Sequence, residues 1–176
     1  VSLYTNIPHS DGLQAIHHFL QKSAYKLHVP TIMRLTELVL TLNSFAFGED
    51  HFKQESGVAM GTKMGPSFAC LFVGFIEEQA LSSYAGEKPA LYGRFIDDCL
   101  GVAHCQRDAV AEFIAHMSNF HPALRYTYSI SSSSVSFLDI TISTRPEDNR
   151  LATSVFYKDT DSHSYLLYSS SHPPAC

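Results

Sequence analysis

Apolar residues recur along this chain with two periods. From Ser10 to about Ala24 they fall at Leu13, Ile16 and Leu20, one face of a helix, with Ser10 placed to cap it. A second helical stripe, Ile32, Leu35, Leu38, Val39 and Leu42, begins at Pro30, a favoured first-turn residue, and ends near Asn43. A third helix runs through "SFACLFVGFIEEQALSSY" behind Pro66, and a fourth from about Asp108 to Asn119 buries Val110, Phe113, Ile114 and Met117. The other period is two. "SFAFGEDHFKQ" alternates on both sides of Gly48, which predicts a β-hairpin turning at the glycine.

"LRYTYSI", "VSFLDITIS" and "LATSVFYK" read as three strands, with Ser131 to Ser134 and "RPEDNR" as solvated turns, and "VSLYTNIP" at the start reads as extended. The order is helices, hairpin, glycine loop with helix, acidic hairpin, helix, strands, without an internal repeat. It predicts an α+β domain in which helices cover one face of an antiparallel sheet.

The 45% apolar content of 176 residues is ample for a packed core. The chain opens on what reads as mid-strand and closes on "SSSHPPAC", so it reads as a fragment. "FACLFVGFI", closed by Glu77 and Glu78, is too short to span a bilayer. Cys70, Cys99, Cys105 and Cys176 have neither metal-ligand spacing nor the density of a disulfide scaffold, which favours a reducing, intracellular setting. The ten histidines are scattered apart from the His17–His18 pair and read as surface or boundary residues. A net charge of -5 argues against a self-sufficient nucleic-acid binder: any basic surface is local or lies outside this chain.

Two features carry candidate chemistry. In "SGVAMGTKMGPS", Gly57, Gly61 and Gly65 recur every fourth residue and feed the helix at Pro66. Such a loop admits a ligand, or a packed neighbour, close to the backbone. The second feature is "RFIDDCLGV". Apolar strands Leu91 to Ile96 and Cys99 to Ala103 flank Asp97 and Asp98, which the pattern sets at the tip of a hairpin. Adjacent carboxylates disfavour one another's charge, so something positive is expected there. Two carboxylates on a rigid turn suit magnesium, and a third from a neighbouring strand would complete a two-metal site for nucleotidyl transfer. An exposed Asp-Asp turn without a ligand is the plain alternative.

These blocks resemble the reverse transcriptases of Penelope-like retroelements, relatives of telomerase reverse transcriptase. "FIDD" is similar to the YxDD box with Phe95 for the tyrosine, and "VSLYTNIPH" resembles the end of the first palm motif. "QESGVAMGTKMGPSFACLF" resembles the glycine-rich second motif, "SFLDITI" the strand before the primer grip, and "YKDTDSHSYLLYSSSHP" the stretch leading to the thumb. The resemblance implies a right-hand polymerase palm with part of the fingers. Residues 1–130 would hold the palm, the fingers-side helices and the catalytic hairpin, and residues 131–176 the closing palm strands before a thumb.

By the same resemblance, Asp97 and Asp98 are the catalytic, metal-binding carboxylates, serving two Mg²⁺ ions for which Mn²⁺ can substitute. Tyr4 is the aromatic under the incoming sugar that excludes a 2′-hydroxyl; read alone, it is a core aromatic. Gly61, Pro66 and Gln54 lie by the nucleotide and template, and Arg125 takes the place of a basic residue assisting pyrophosphate departure. Lys158, Thr160 and Asp161 match a primer-contacting block, although a solvated surface lysine explains Lys158 equally. The implied partners are an RNA template, a DNA primer and deoxynucleoside triphosphates, in a nuclear setting and with no membrane. Thumb, remaining fingers and a GIY-YIG endonuclease would belong to the parent polypeptide. The family's first catalytic aspartate falls just ahead of Val1, so the chain as it stands is expected to be nearly inactive. The rival expectation is a decayed or domesticated binding module that keeps the fold without the chemistry.

Overall fold

A computed structural model describes residues 3–59, 61–148, 150–161 and 169–171. Val1, Cys176 and most of the block that follows Asp161 lie outside the described residues. The chain divides into two compact units, Val1–Tyr128 and Ser129–Cys176.

In the first unit the elements are α1 (Leu3–Asn6), α2 (His9–Lys22), α3 (Val29–Thr41), β1 (Ser44–Phe47), β2 (Asp50–Lys53), α4 (Gly65–Ser83), β3 (Leu91–Phe95), β4 (Asp98–Val102) and α5 (Arg107–Phe120). α4 is the spine. Its Phe68, Ala69, Phe72, Val73 and Ile76 pack with Ile7, Ala15, Ile16, Leu40, Val58 and Leu124 into the main core, and its Ala80 joins Phe113 and Met117 in a second. The helix is apolar almost all round because it is covered from several sides. α2 closes on it where Gly12 meets the ring of the fully buried Phe68, which would occupy the place of a Gly12 Cβ.

Two helix boundaries differ from expectation. α2 starts at His9 with Pro8 at its N-cap, and the Ser10 hydroxyl donates to Asp11 Oδ1 at 2.9 Å instead of capping the helix. The opening segment is not extended: Leu3–Asn6 forms one helical turn, its carbonyls engaged by the glycine loop through Val58 N to Tyr4 O at 2.7 Å, with Gly57 N to Ile7 O at 2.8 Å just beyond. The hairpin at Gly48 forms as the alternation predicts, pairing Phe45 with Phe52 and stacking their rings at 5.5 Å.

"LRYTYSI" is not a strand. Leu124 is buried in the main core and Tyr126 packs against both cores, so the alternation reflects one-sided burial. The Leu124 and Tyr126 amides donate to the His121 carbonyl and Ser118 Oγ instead of a neighbouring strand.

The second unit holds β5 (Ser134–Phe137), β6 (Ile140–Thr144) and β7 (Leu151–Val155), an antiparallel sheet in that order. "VSFLDITIS" is therefore a hairpin turning at Leu138–Asp139, not a single strand. The register gathers Val135, Phe137, Ile140, Ile142, Leu151 and Val155 on one face and Ser134, Ser136, Thr141, Ser143, Ala152 and Ser154 on the other. The Ser131–Ser134 run is a solvated turn, as expected, with Ser131 Oγ accepting from the amides of Ser133 and Ser134.

The fold is thus mixed α+β. Among the described residues the strands form three small antiparallel sheets, two of two strands and one of three, in place of one continuous sheet. No described helix is long and apolar enough to cross a membrane.

The α2–α4 contact gives the first prediction. Gly12→Ala should gain about 1 kcal/mol in helix propensity and lose about 1–3 kcal/mol to overpacking against Phe68. The expected outcome is a net lower thermal midpoint, measured by circular dichroism.

Candidate functional site

The acidic hairpin is built from β3 and β4, paired from Leu91↔Val102 to Phe95↔Asp98, and its two-residue turn is Ile96 and Asp97. Asp97 therefore stands in the turn, while Asp98 is the first residue of β4 and not a turn residue. Because paired residues share a face, Asp98 lies with Phe95, Gly93 and Leu100, opposite Tyr92, Arg94 and Cys99. Both aspartate side chains are exposed and make no hydrogen bond or ion pair among the described residues. Ile96 holds φ at 56°, a left-handed conformation that costs a β-branched residue of order 1–3 kcal/mol. Such strain persists only where the surroundings impose it.

The two-residue hairpin imposes it, because such turns need a positive φ at their first position, and Arg94 ties the turn to α4. Arg94 Nη1 donates to the Ile96 carbonyl at 2.8 Å, its Nε to Glu77 Oε2 at 2.8 Å and its Nη2 to the Cys70 carbonyl at 3.3 Å. Cys70, Gly74 and Glu77 form one face of α4, and the guanidinium lies over it in van der Waals reach of Gly74. Tyr92 OH donates to the other Glu77 oxygen at 2.6 Å. Glu77 is 8% exposed, and both charges of the pair are largely withdrawn from water. Arg94 is the cation nearest the aspartates in sequence, but its charge is committed to Glu77.

The network shifts its members' pKa values. Burial alone would lower that of the Arg94 guanidinium, but the Glu77 hydrogen bond and charge outweigh it and the net shift is upward. Burial raises the Cys99 thiol and, reinforced by Cys99 and Glu77, raises Tyr92. Tyr126 is pushed up to about 12, first by burial and then by the Glu77 charge.

The glycine loop leads into the N-terminus of the same helix. Gly57, at φ 73°, lies so close to the Tyr4 and Thr5 backbone that a Cβ there would overlap it, so this glycine serves chain packing. Gly61, at φ 96°, has open space where its Cβ would be. Pro66 is exposed in the first turn of α4, and a Cβ on Gly65 would lie 3.8 Å from the Tyr4 ring. Tyr4 is half-buried against the main core. Gln54 ties the hairpin base to the loop, accepting from Asn43 Nδ2 at 2.7 Å and donating to the Ser56 carbonyl at 2.9 Å.

Gln54, Gly61 and Pro66 thus lie along the strap that leads into α4, and Tyr4 of α1 is tied to it through Val58. Cys70, which Arg94 joins to the acidic turn, stands five residues, about 7.5 Å, along the helix from Gly65 and about 140° around it. Arg125 instead closes the end of α5, its Nη1 donating to the carbonyls of Ser118, His121 and Leu124. Lys158, Thr160 and Asp161 belong to the second unit, where the Asp161 amide donates to the Lys158 carbonyl at 2.8 Å.

The residue that sequence reasoning missed is Glu77, taken as a polar end to an apolar run. It stands four residues after Val73 and three before Ala80, on the buried stripe of a helix that continues to Ser83. A carboxylate at that position needs a buried partner.

No protein-family model matches this chain, and neither a curated protein nor a solved structure matches it.

Two predictions follow from the network. Glu77→Leu alone strands the Arg94 charge and should cost about 3–5 kcal/mol, read as a lower urea midpoint. The second concerns alkaline pH. Because the fold favours the neutral Tyr126 phenol, its contribution is full below pH 10 and is lost as pH rises towards about 12. Tyr126→Phe should leave neutral-pH stability nearly unchanged and flatten the alkaline loss in a urea-melt series.

Proposed function

We propose that this chain is part of the palm, with adjoining fingers, of an RNA-directed DNA polymerase of the Penelope-like type. The observation that carries the reading is the pair of unengaged carboxylates, Asp97 and Asp98, on a strained turn tied to the helix that opens at the glycine loop. Strained backbone concentrates at functional sites.

The donor set fits magnesium in kind, since exposed carboxylate oxygens without protein donors are what a hard cation takes. It is incomplete in number: the described residues hold no group of three metal-ligating side chains. Asp97 and Asp98 would hold the ions, with the family's first-motif aspartate supplied from sequence ahead of Val1. Bound there, the metal would lower the pKa of a primer 3′-hydroxyl and neutralise charge on the departing pyrophosphate.

The chain's own residues do the positioning. Gly61, open and in a left-handed conformation, lets the loop backbone approach the nucleotide and template, with Pro66 starting the helix behind it. Tyr4, anchored through its carbonyl to Val58, presents its ring beside Gly65 as the gate against ribose. Gln54 holds the loop's entry. An RNA template and a DNA primer are the nucleic-acid partners, and Lys158, Thr160 and Asp161 are the primer-side candidates. Arg125 has its guanidinium engaged at the end of α5 and takes no part in this reading. Orientation and electrostatics supply the rate, without a covalent intermediate.

The test is primer extension on an RNA template with deoxynucleotides and magnesium, using a chain lengthened upstream of Val1, beside its Asp97→Ala twin. Extension by the first and a loss of at least about 1,000-fold in the second, with little change in thermal midpoint, is the expected result. Retained extension in Asp97→Ala would sink the assignment. Silence from both, in folded protein that still binds primer–template, would favour the binding module without chemistry.

A further inference from the structure

The acidic hairpin has two strands, and a two-stranded hairpin is marginal by itself in water. The side chains of its aspartates contribute no bond that would fix the turn. Arg94 does what the strands cannot, spending three nitrogens in three directions: on a buried carboxylate, on a helix carbonyl and on the carbonyl of the strained turn residue. A planar guanidinium can span these points at once, whereas a lysine ammonium is a compact point charge. Glu77 has a second effect. By taking the Arg94 charge it keeps that cation from the two carboxylates one and two residues beyond Ile96, so they stay open to another cation.

We propose that Arg94, held by Glu77, is the positioning residue of the acidic hairpin: it fixes the Ile96–Asp97 turn against α4 and thereby sets where Asp97 and Asp98 stand. This rests on the polymerase reading above, and it concerns residues that touch neither substrate nor the reacting atoms.

The test separates positioning from stability. The variant Glu77→Leu, Tyr92→Phe, Arg94→Leu removes the buried pair as a unit together with the Tyr92 hydroxyl that bonds Glu77. Replacing a buried ion pair by apolar side chains is often neutral for stability, so it is expected to fold. Arg94→Lys keeps a charge for Glu77 but cannot span to the turn. The lengthened chain and both variants would be compared for thermal midpoint, primer–template Kd, kcat for single-nucleotide addition, and amide hydrogen exchange at residues 96–98.

The expected result is folded variants with Kd within about twofold of the parent and kcat lower by about 10–100-fold, as for a small misplacement of reacting groups. Their turn amides should exchange faster. A folded triple variant with parental kcat and parental exchange would overturn the proposal. Should that variant not fold, Arg94→Lys decides by the same two readouts. Should the parent not extend primers at all, the exchange data still decide: faster exchange upholds the positioning role while the polymerase reading fails, and unchanged exchange ends both.

Discussion

One buried carboxylate organises the first unit. Glu77 sits where an apolar helix face would ordinarily carry leucine or valine, and that position is tolerable only because a guanidinium and a phenol arrive from β3 to meet it. The pair is a weak source of net stability but a strong source of specificity, since a hairpin docked in another register would leave two charges uncompensated in a dry environment. The same helix supplies the floor of both hydrophobic clusters. Core packing and hairpin placement are therefore settled on one element, and the exposed turn inherits its position from the interior.

Much of this was legible in the residues. Apolar stripes placed all the longer helices, because a helix on a core must repeat its buried side chains every three or four positions. Gly48 marked one turn, and Pro66 the start of α4. What failed did so for physical reasons. The alternation in "LRYTYSI" records which side of an extended segment is buried, and strand pairing needs in addition a neighbour with free backbone groups. In "VSFLDITIS" the apolar positions change parity, from Val135 and Phe137 to Ile140 and Ile142, and that change is the mark of a two-residue turn. The single turn at Leu3–Asn6 depends on carbonyl partners some fifty residues away, beyond the reach of any local pattern.

The candidate site was legible in part. Two adjacent aspartates in an apolar run announced themselves, as did the glycines before α4. The division of labour among those glycines was not visible: Gly57 packs against another segment while Gly61 faces open space. Nor was the destination of the nearby cation. Arg94, three residues before Asp97, goes to a glutamate seventeen residues earlier.

The acidic turn has a counterpart in the other unit. Leu138 adopts φ 55°, nearly the value at Ile96, and both stand in the order phenylalanine, branched aliphatic, aspartate. One short word of sequence thus writes the same bend twice, once followed by a second aspartate and once by isoleucine. Backbone shape and chemical content are separately adjustable at such a bend. One substitution at the fourth position would add or remove that carboxylate without redrawing the hairpin.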